Sequence, residues 1–182
     1  ALCYTQSGGT FNGSSHPITF TSNGSNAFVQ SGGTFNGGSG DITLTGDANA
    51  DHDLSLTGGT INSTSATLVL TRGFRHQTGG TFIANGGTVR FTSGNTPGVT
   101  ALNDTFNNLI VEKDHGSTLF INGIVTVAGQ LSLIDGTITD NAGALQAAGD
   151  TTVAATFDGG NIGFTFTGAA NQSFTNQGAP NF

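Results

Sequence analysis

Asp47, Asn49, Asp51 and Asp53 place an oxygen-bearing side chain at every second position of the segment Asp47-Ala48-Asn49-Ala50-Asp51-His52-Asp53-Leu54. A hard cation such as Ca²⁺ takes about six to eight oxygen ligands, and alternate carboxylates and amides in one loop are a common way to supply them. Leu54 stands where such loops anchor an apolar side chain. The pattern departs from a calcium loop at two positions: His52 replaces the glycine of the sharp turn, and Gly58 stands where a bidentate Glu belongs. Two expectations therefore stand side by side, a calcium site and a solvated acidic insertion. Gly37-Gly38-Ser39-Gly40-Asp41 resembles a calcium nonapeptide but is one residue short and does not recur, so a turn is expected there.

Catalytic chemistry finds less support. General acid–base hydrolysis needs clustered carboxylates or a base on one face. Asp41, Asp135, Asp140, Asp150 and Asp158 fall mostly beside glycines, which points to turns. Glu112-Lys113-Asp114-His115 reads as a solvated corner. His16, His52 and His76 sit in variable corners without partner spacing, and Arg72, Arg75 and His76 read as a small basic surface patch. No catalytic residues are assigned, and an enzyme is not expected.

The elements that would position these residues are set by a repeat. Gly-Gly-Thr followed by Phe or Ile occurs at Gly8–Phe11, Gly32–Phe35, Gly58–Ile61 and Gly79–Phe82, with looser echoes at 135–138 and 159–162. The apolar members are 35 − 11 = 24, 61 − 35 = 26 and 82 − 61 = 21 residues apart. Nine positions after each comes a second apolar residue: Phe20, Leu44, Leu70 and Phe91. The fixed spacing holds two strands and the corner between them in register, while the length variation falls before the next Gly-Gly, where a surface loop costs little. A period in the twenties with β-type residues marks a stacked solenoid. Phe11, Phe35, Ile61 and Phe82 should form one interior ladder, and Phe20, Leu44, Leu70 and Phe91 another. Alternation in Ile42-Thr43-Leu44-Thr45, Leu54-Ser55-Leu56-Thr57 and Gln130-Leu131-Ser132-Leu133 supports half-buried strands. The expected fold is all-β, one solenoid over residues 1–182 with coils of about 21–26 residues, regular over 1–90 and laid out in a longer repeat over 91–182. At ~4.8 Å per rung, seven or eight rungs would rise on the order of 35 Å.

Composition narrows the function. Thirty Gly, 14 Phe, no Trp, no Met and 8% charged residues describe a chain held by backbone ladders and stacked rings. A net charge of −7 argues against nucleic acid and anionic membranes, and no stretch approaches a membrane-spanning run. Ala1-Leu2-Cys3-Tyr4 lacks the basic and apolar regions of a signal peptide, which suits a mature chain or an excised segment. Five Asn-x-Ser/Thr sequons occur, at Asn12, Asn23, Asn62, Asn103 and Asn171. Cys3 is the one cysteine, so no intrachain disulfide can form; it reads as an incidental thiol or as an intermolecular crosslink.

Phe91-Thr-Ser-Gly leads to Phe106-Asn-Asn-Leu 15 residues on, and Phe166-Thr-Gly-Ala leads to Phe182 16 residues on, a supra-repeat of 182 − 106 = 76 that breaks off in mid-phrase. Phe106-Asn-Asn-Leu-Ile-Val and Ile124-Val-Thr-Val-Ala-Gly-Gln-Leu-Ser-Leu-Ile-Asp-Gly-Thr-Ile138 resemble the repeats of large secreted bacterial β-strand-repeat proteins. These are similar to the passenger regions of autotransporter and haemagglutinin-type adhesins. The resemblance implies a right-handed parallel β-helix, export to the extracellular space or cell surface, and a structural or adhesive role.

The expected partners are copies of the chain itself, with surface glycans as an alternative. Unpaired strand edges at solenoid ends invite end-on stacking, and a contact that does not close gives a filament. Leu2, Cys3, Tyr4 and Phe11 at one end and Phe166, Phe174 and Phe182 at the other are the expected junction. No cofactor is expected beyond calcium in the acidic loop. An alternative is ice binding through outward threonines in Thr19-Phe20-Thr21, Thr43-Leu44-Thr45, Thr137-Ile138-Thr139 and Thr165-Phe166-Thr167, a pattern interrupted by Val69 and Arg90. A carbohydrate-binding or carbohydrate-active β-helix is the other alternative.

Overall fold

The computed structural model describes residues 3–48, 50, 52–94, 98–101 and 103–179. Among these residues there is no helix. The strands are β1 (Tyr4–Asn12), β2 (Ile18–Thr21), β3 (Phe28–Asn36), β4 (Ile42–Thr45), β5 (Leu54–Asn62), β6 (Thr67–Leu70), β7 (Phe74–His76), β8 (Thr81–Ile83) and β9 (Thr88–Ser93). There follow β10 (Gly98–Thr100), β11 (Asp104–Phe106), β12 (Asn108–Lys113), β13 (Thr118–Val127), β14 (Leu131–Ala147), β15 (Thr151–Val153), β16 (Phe157–Asn161), β17 (Phe164–Phe166) and β18 (Phe174–Asn176).

Every strand pairing is parallel, and the chain winds into a β-solenoid of about 8 turns. Each coil contributes to two sheets. The first sheet runs β1, β3, β5, then β7 with β8, β10 with β11, β13, the latter part of β14, and β16 with β17. The second runs β2, β4, β6, β9, β12, the start of β14, β15 and β18. Because strand side chains alternate between faces, each coil turns its apolar set inward and its Thr, Ser and Asn outward.

The register stacks Phe11 on Phe35, Ile61 and Phe82 in the first sheet, and Phe20 on Leu44, Leu70 and Phe91 in the second. Phe11 and Phe35 lie parallel at 4.8 Å, a ring on a ring at one rung's separation. Phe82 meets Phe106 edge to face at 5.6 Å, and register then carries the column through Val127 and Ala147 to Phe166. One interior column therefore spans the solenoid from Phe11 to Phe166.

The Gly-Gly pair makes the bend within the first sheet. Gly59 has φ +77°, and a Cβ there would lie 2.5 Å from the Gly33 carbonyl oxygen of the coil before. Only glycine meets both demands. The bend turns carbonyls inward, and buried amides take them up. Gln6 Nε2 donates to Gly9 O and Thr34 O, and Gln30 Nε2 to Gly33 O and Thr60 O, at 2.9–3.1 Å. At the next corner an asparagine ladder runs along the stack, with Asn36 Nδ2 donating to Asn12 Oδ1 and Asn62 Nδ2 to Asn36 Oδ1, both at 2.7 Å.

Candidate functional site

The column occupied by Gln6 and Gln30 continues as Leu56 and then His76. His76 belongs inside the coil, which corrects the expectation of a basic surface patch with Arg72 and Arg75; it is 3% exposed. Its Nδ1 lies 2.9 Å from both oxygens of Asp104, and its Nε2 lies 2.7 Å from Gly79 O. The expectation that His76 lacks a partner fails for the same reason: Asp104 is 28 residues away in sequence and one coil away in space. A His–carboxylate pair sealed in the core meets no substrate, so its role is structural.

Of the acidic loop, Asn49 and Asp51 lie outside the described residues. Asp53 is fully buried. It accepts hydrogen bonds from the Gly46 and Arg72 backbone N–H groups and, at 3.3 Å, from Thr71 Oγ1. Both carboxylate oxygens thus tie three chain segments together at a corner, which takes Asp53 out of an oxygen cage facing solvent. Burial pushes its carboxyl above the usual range, and the backbone donors only partly oppose this. Asp47 sits at the mouth of the loop, its backbone N–H donating to Ser25 O and its carbonyl accepting from Ala50 N.

The segment Glu112–His115 is not uniformly solvated. Lys113 is 1% exposed, and its Nζ donates to Thr92 O at 2.6 Å. Burial lowers its pKa to about 8, against the pull of the Asp114 and Asp53 carboxylates. Glu112, on the outer face, pairs with Arg90. His115 projects from the corner beyond β12, 82% exposed, towards Asp158 and Asp135. Asp135 holds the N–H of its neighbour Gly136, as the sequence implies, whereas Asp158 holds that of Gly116 on another coil, and both converge on a histidine, which the sequence does not reveal.

At the ends of the stack the aromatic columns are less covered. Tyr4 packs on Phe28 at 4.8 Å, Phe20 at 4.9 Å and Phe11 at 5.6 Å, and all of Tyr4, Phe11 and Phe20 are only partly buried. Cys3 is half-buried, with its Sγ 3.5 Å from Tyr4 O. At the other end Phe166 and Phe174 are 46% and 44% exposed and meet edge to face at 5.9 Å. Phe164 stands over an apolar recess of about 200 Å³ lined by Leu133, Ile138, Leu145, Phe157 and Ile162. Leu2 and Phe182 lie outside the described residues.

On the outer face of the first sheet, the threonine of the repeated motif forms a row. Thr10, Thr34, Thr60 and Thr81 are in register, as are Thr105 with Thr126, and Thr126 with Gln146 and Thr165. On the second sheet Thr19 and Thr43 are in register, and their row is interrupted by Val69 and Arg90, as the sequence pattern implies, and then by Ile110. Thr137 and Thr139 pair with Thr118 and Phe120, so they do not extend one file of hydroxyls. The Thr10 row was available in sequence, since each member directly precedes a core residue and must therefore face outward.

Comparison with protein-family models, with curated proteins and with solved structures returned no match.

Proposed function

We propose that this β-solenoid is a structural subunit of an extracellular fibre or surface adhesin, of the kind built from bacterial β-strand repeats, and that it associates end-on with copies of itself. The observation that carries this reading is the interior column from Phe11 to Phe166, which ends in a partly uncovered aromatic ring at both ends. Residues deep in the stack, such as Phe74, Phe91 and Phe106, are 0% exposed. Setting Phe11 of one copy over Phe166 of another would bury both rings and continue the parallel ladder from β17 and β18 into β1 and β2. Sedimentation at increasing protein concentration tests this. The wild-type chain should form elongated multimers, while F166D and F11D should remain single and folded, F11D at a lower melting temperature because Phe11 also packs on Phe35 and Tyr4. Equal association by these variants would remove the reading.

A second reading rests on the Thr10 row. Hydroxyls repeated at rung spacing of ~4.8 Å on a sheet face can order a layer of water, as ice binding requires. Thermal hysteresis in the wild-type protein, lost in T60Y, would favour it; a freezing point indistinguishable from that of a control protein would remove it.

A further inference from the structure

We propose that His115, Asp135 and Asp158 form a surface site for a divalent transition-metal ion, with Zn²⁺ as the best-fitting one. The three residues come from corners of three successive coils: His115 follows β12, Asp135 lies at the bend within β14, and Asp158 lies in β16. One ligand atom from each falls within 4.8 Å of the other two. His115 Nδ1 is 2.6 Å from Asp158 Oδ1 and 3.8 Å from Asp135 Oδ1. In a tetrahedral zinc sphere, with bonds of about 2.0–2.1 Å, ligand atoms stand roughly 3.3 Å apart. The observed separations bracket that value, so shifts on the order of 1 Å bring the set to bonding distance.

The carboxylates are already oriented from outside the cluster. Asp158 Oδ2 accepts the Gly116 N–H at 2.8 Å, and Asp135 Oδ1 accepts the Gly136 N–H at 2.8 Å. Such outer contacts fix ligand direction before the ion arrives. Gly116 and Gly136 have φ +76° and +80°, turns that present these N–H groups at stacked corners. The nearby Asp114 carboxylate is directed at Gly94 on the preceding coil and does not join the set.

The donor set decides the class of ion. One imidazole nitrogen with two carboxylates suits zinc and its first-row neighbours, whereas Ca²⁺ and Mg²⁺ prefer oxygen throughout. Two carboxylates match the charge of a divalent ion, and the outward position of His115 leaves the fourth ligand position to water. A bound ion would clamp three coils together at their corners, so the site is a staple rather than a reaction centre.

Calorimetric titration of the chelator-treated full chain with ZnCl₂, paired with thermal melts, tests this. The expected result is one saturable site per chain, a melting temperature raised by about 5–10 °C at a hundredfold excess of zinc over Kd, and no comparable effect of CaCl₂. D158N retains an oxygen for the Gly116 N–H yet loses the charge; it and H115A should each weaken binding at least tenfold, while H16A binds as wild type. Absence of saturable zinc binding, or unchanged binding in both H115A and D158N, would overturn the proposal.

Discussion

His76 and Asp104 are hydrogen-bonded inside the solenoid, with Nδ1 2.9 Å from both carboxylate oxygens and Nε2 2.7 Å from Gly79 O. Both ring nitrogens face acceptors, so the ring is tied at each end. Neighbouring coils fill the same two positions with Leu56 and Val125. Breaking the pair with H76A or D104A should cost about 3 kcal/mol, because a buried partner is stranded. Replacing both as H76L with D104V should return stability to within about 1 kcal/mol of wild type. Urea unfolding of the four proteins provides the check, and additive losses in the double variant would refute the pairing argument.

Gly9 and Gly59 hold the same place in the repeat, with φ +66° and +77°. They differ in what lies against them: a Cβ on Gly59 meets Gly33 O at 2.5 Å, whereas a Cβ on Gly9 meets nothing within 4 Å. G9A should therefore cost about 1 kcal/mol, from the backbone conformation alone. G59A should cost about 3 kcal/mol or more, since a backbone carbonyl must also move. Chemical denaturation measures both. If Gly9 is covered in an end-on assembly, G9A should also reduce association while the isolated chain stays folded.

Lys113 makes stability depend on pH on the alkaline side. Its pKa is about 8 in the folded chain and 10.5 when unperturbed, because burial disfavours the ammonium despite the Asp114 and Asp53 carboxylates. Between these values the unfolded chain binds more protons than the folded one, so this group raises stability as pH rises from about 8 to 10.5. Burial shifts Tyr4 above 10.0, which acts in the opposite direction at higher pH and is shared with any Lys113 variant. K113M should melt at or above the wild-type temperature at pH 7, and that difference should move in favour of wild type as pH climbs through the window. Parallel melting curves at all pH values would contradict the assignment.

The solenoid was legible in sequence because its most regular half repeats a fixed interval, nine residues from Phe11 to Phe20 and from Phe35 to Leu44. That interval preserves inward facing through each coil, so the columns can be read without knowing the loop lengths. Contacts made across corners of variable length are another matter. His76 reaches Asp104 over 28 residues, and His115 reaches Asp135 and Asp158 over 135 − 115 = 20 and 158 − 115 = 43. Those intervals acquire meaning only once β7 is set beside β10, β13 beside β14, and β14 beside β16. Lys113 shows the same limit: a charged run suggests solvent, yet the residue extends the inward alternation of Leu109 and Val111 into the corner.

The most direct test of end-on assembly is electron microscopy of the purified chain at neutral pH over a range of concentrations. Stacking through Phe11 and Phe166 predicts unbranched filaments with an axial subunit repeat of about 38 Å, from eight coils at ~4.8 Å each, and their disappearance in F166D. Single short rods at every concentration, with the wild-type chain and F166D indistinguishable, would contradict it.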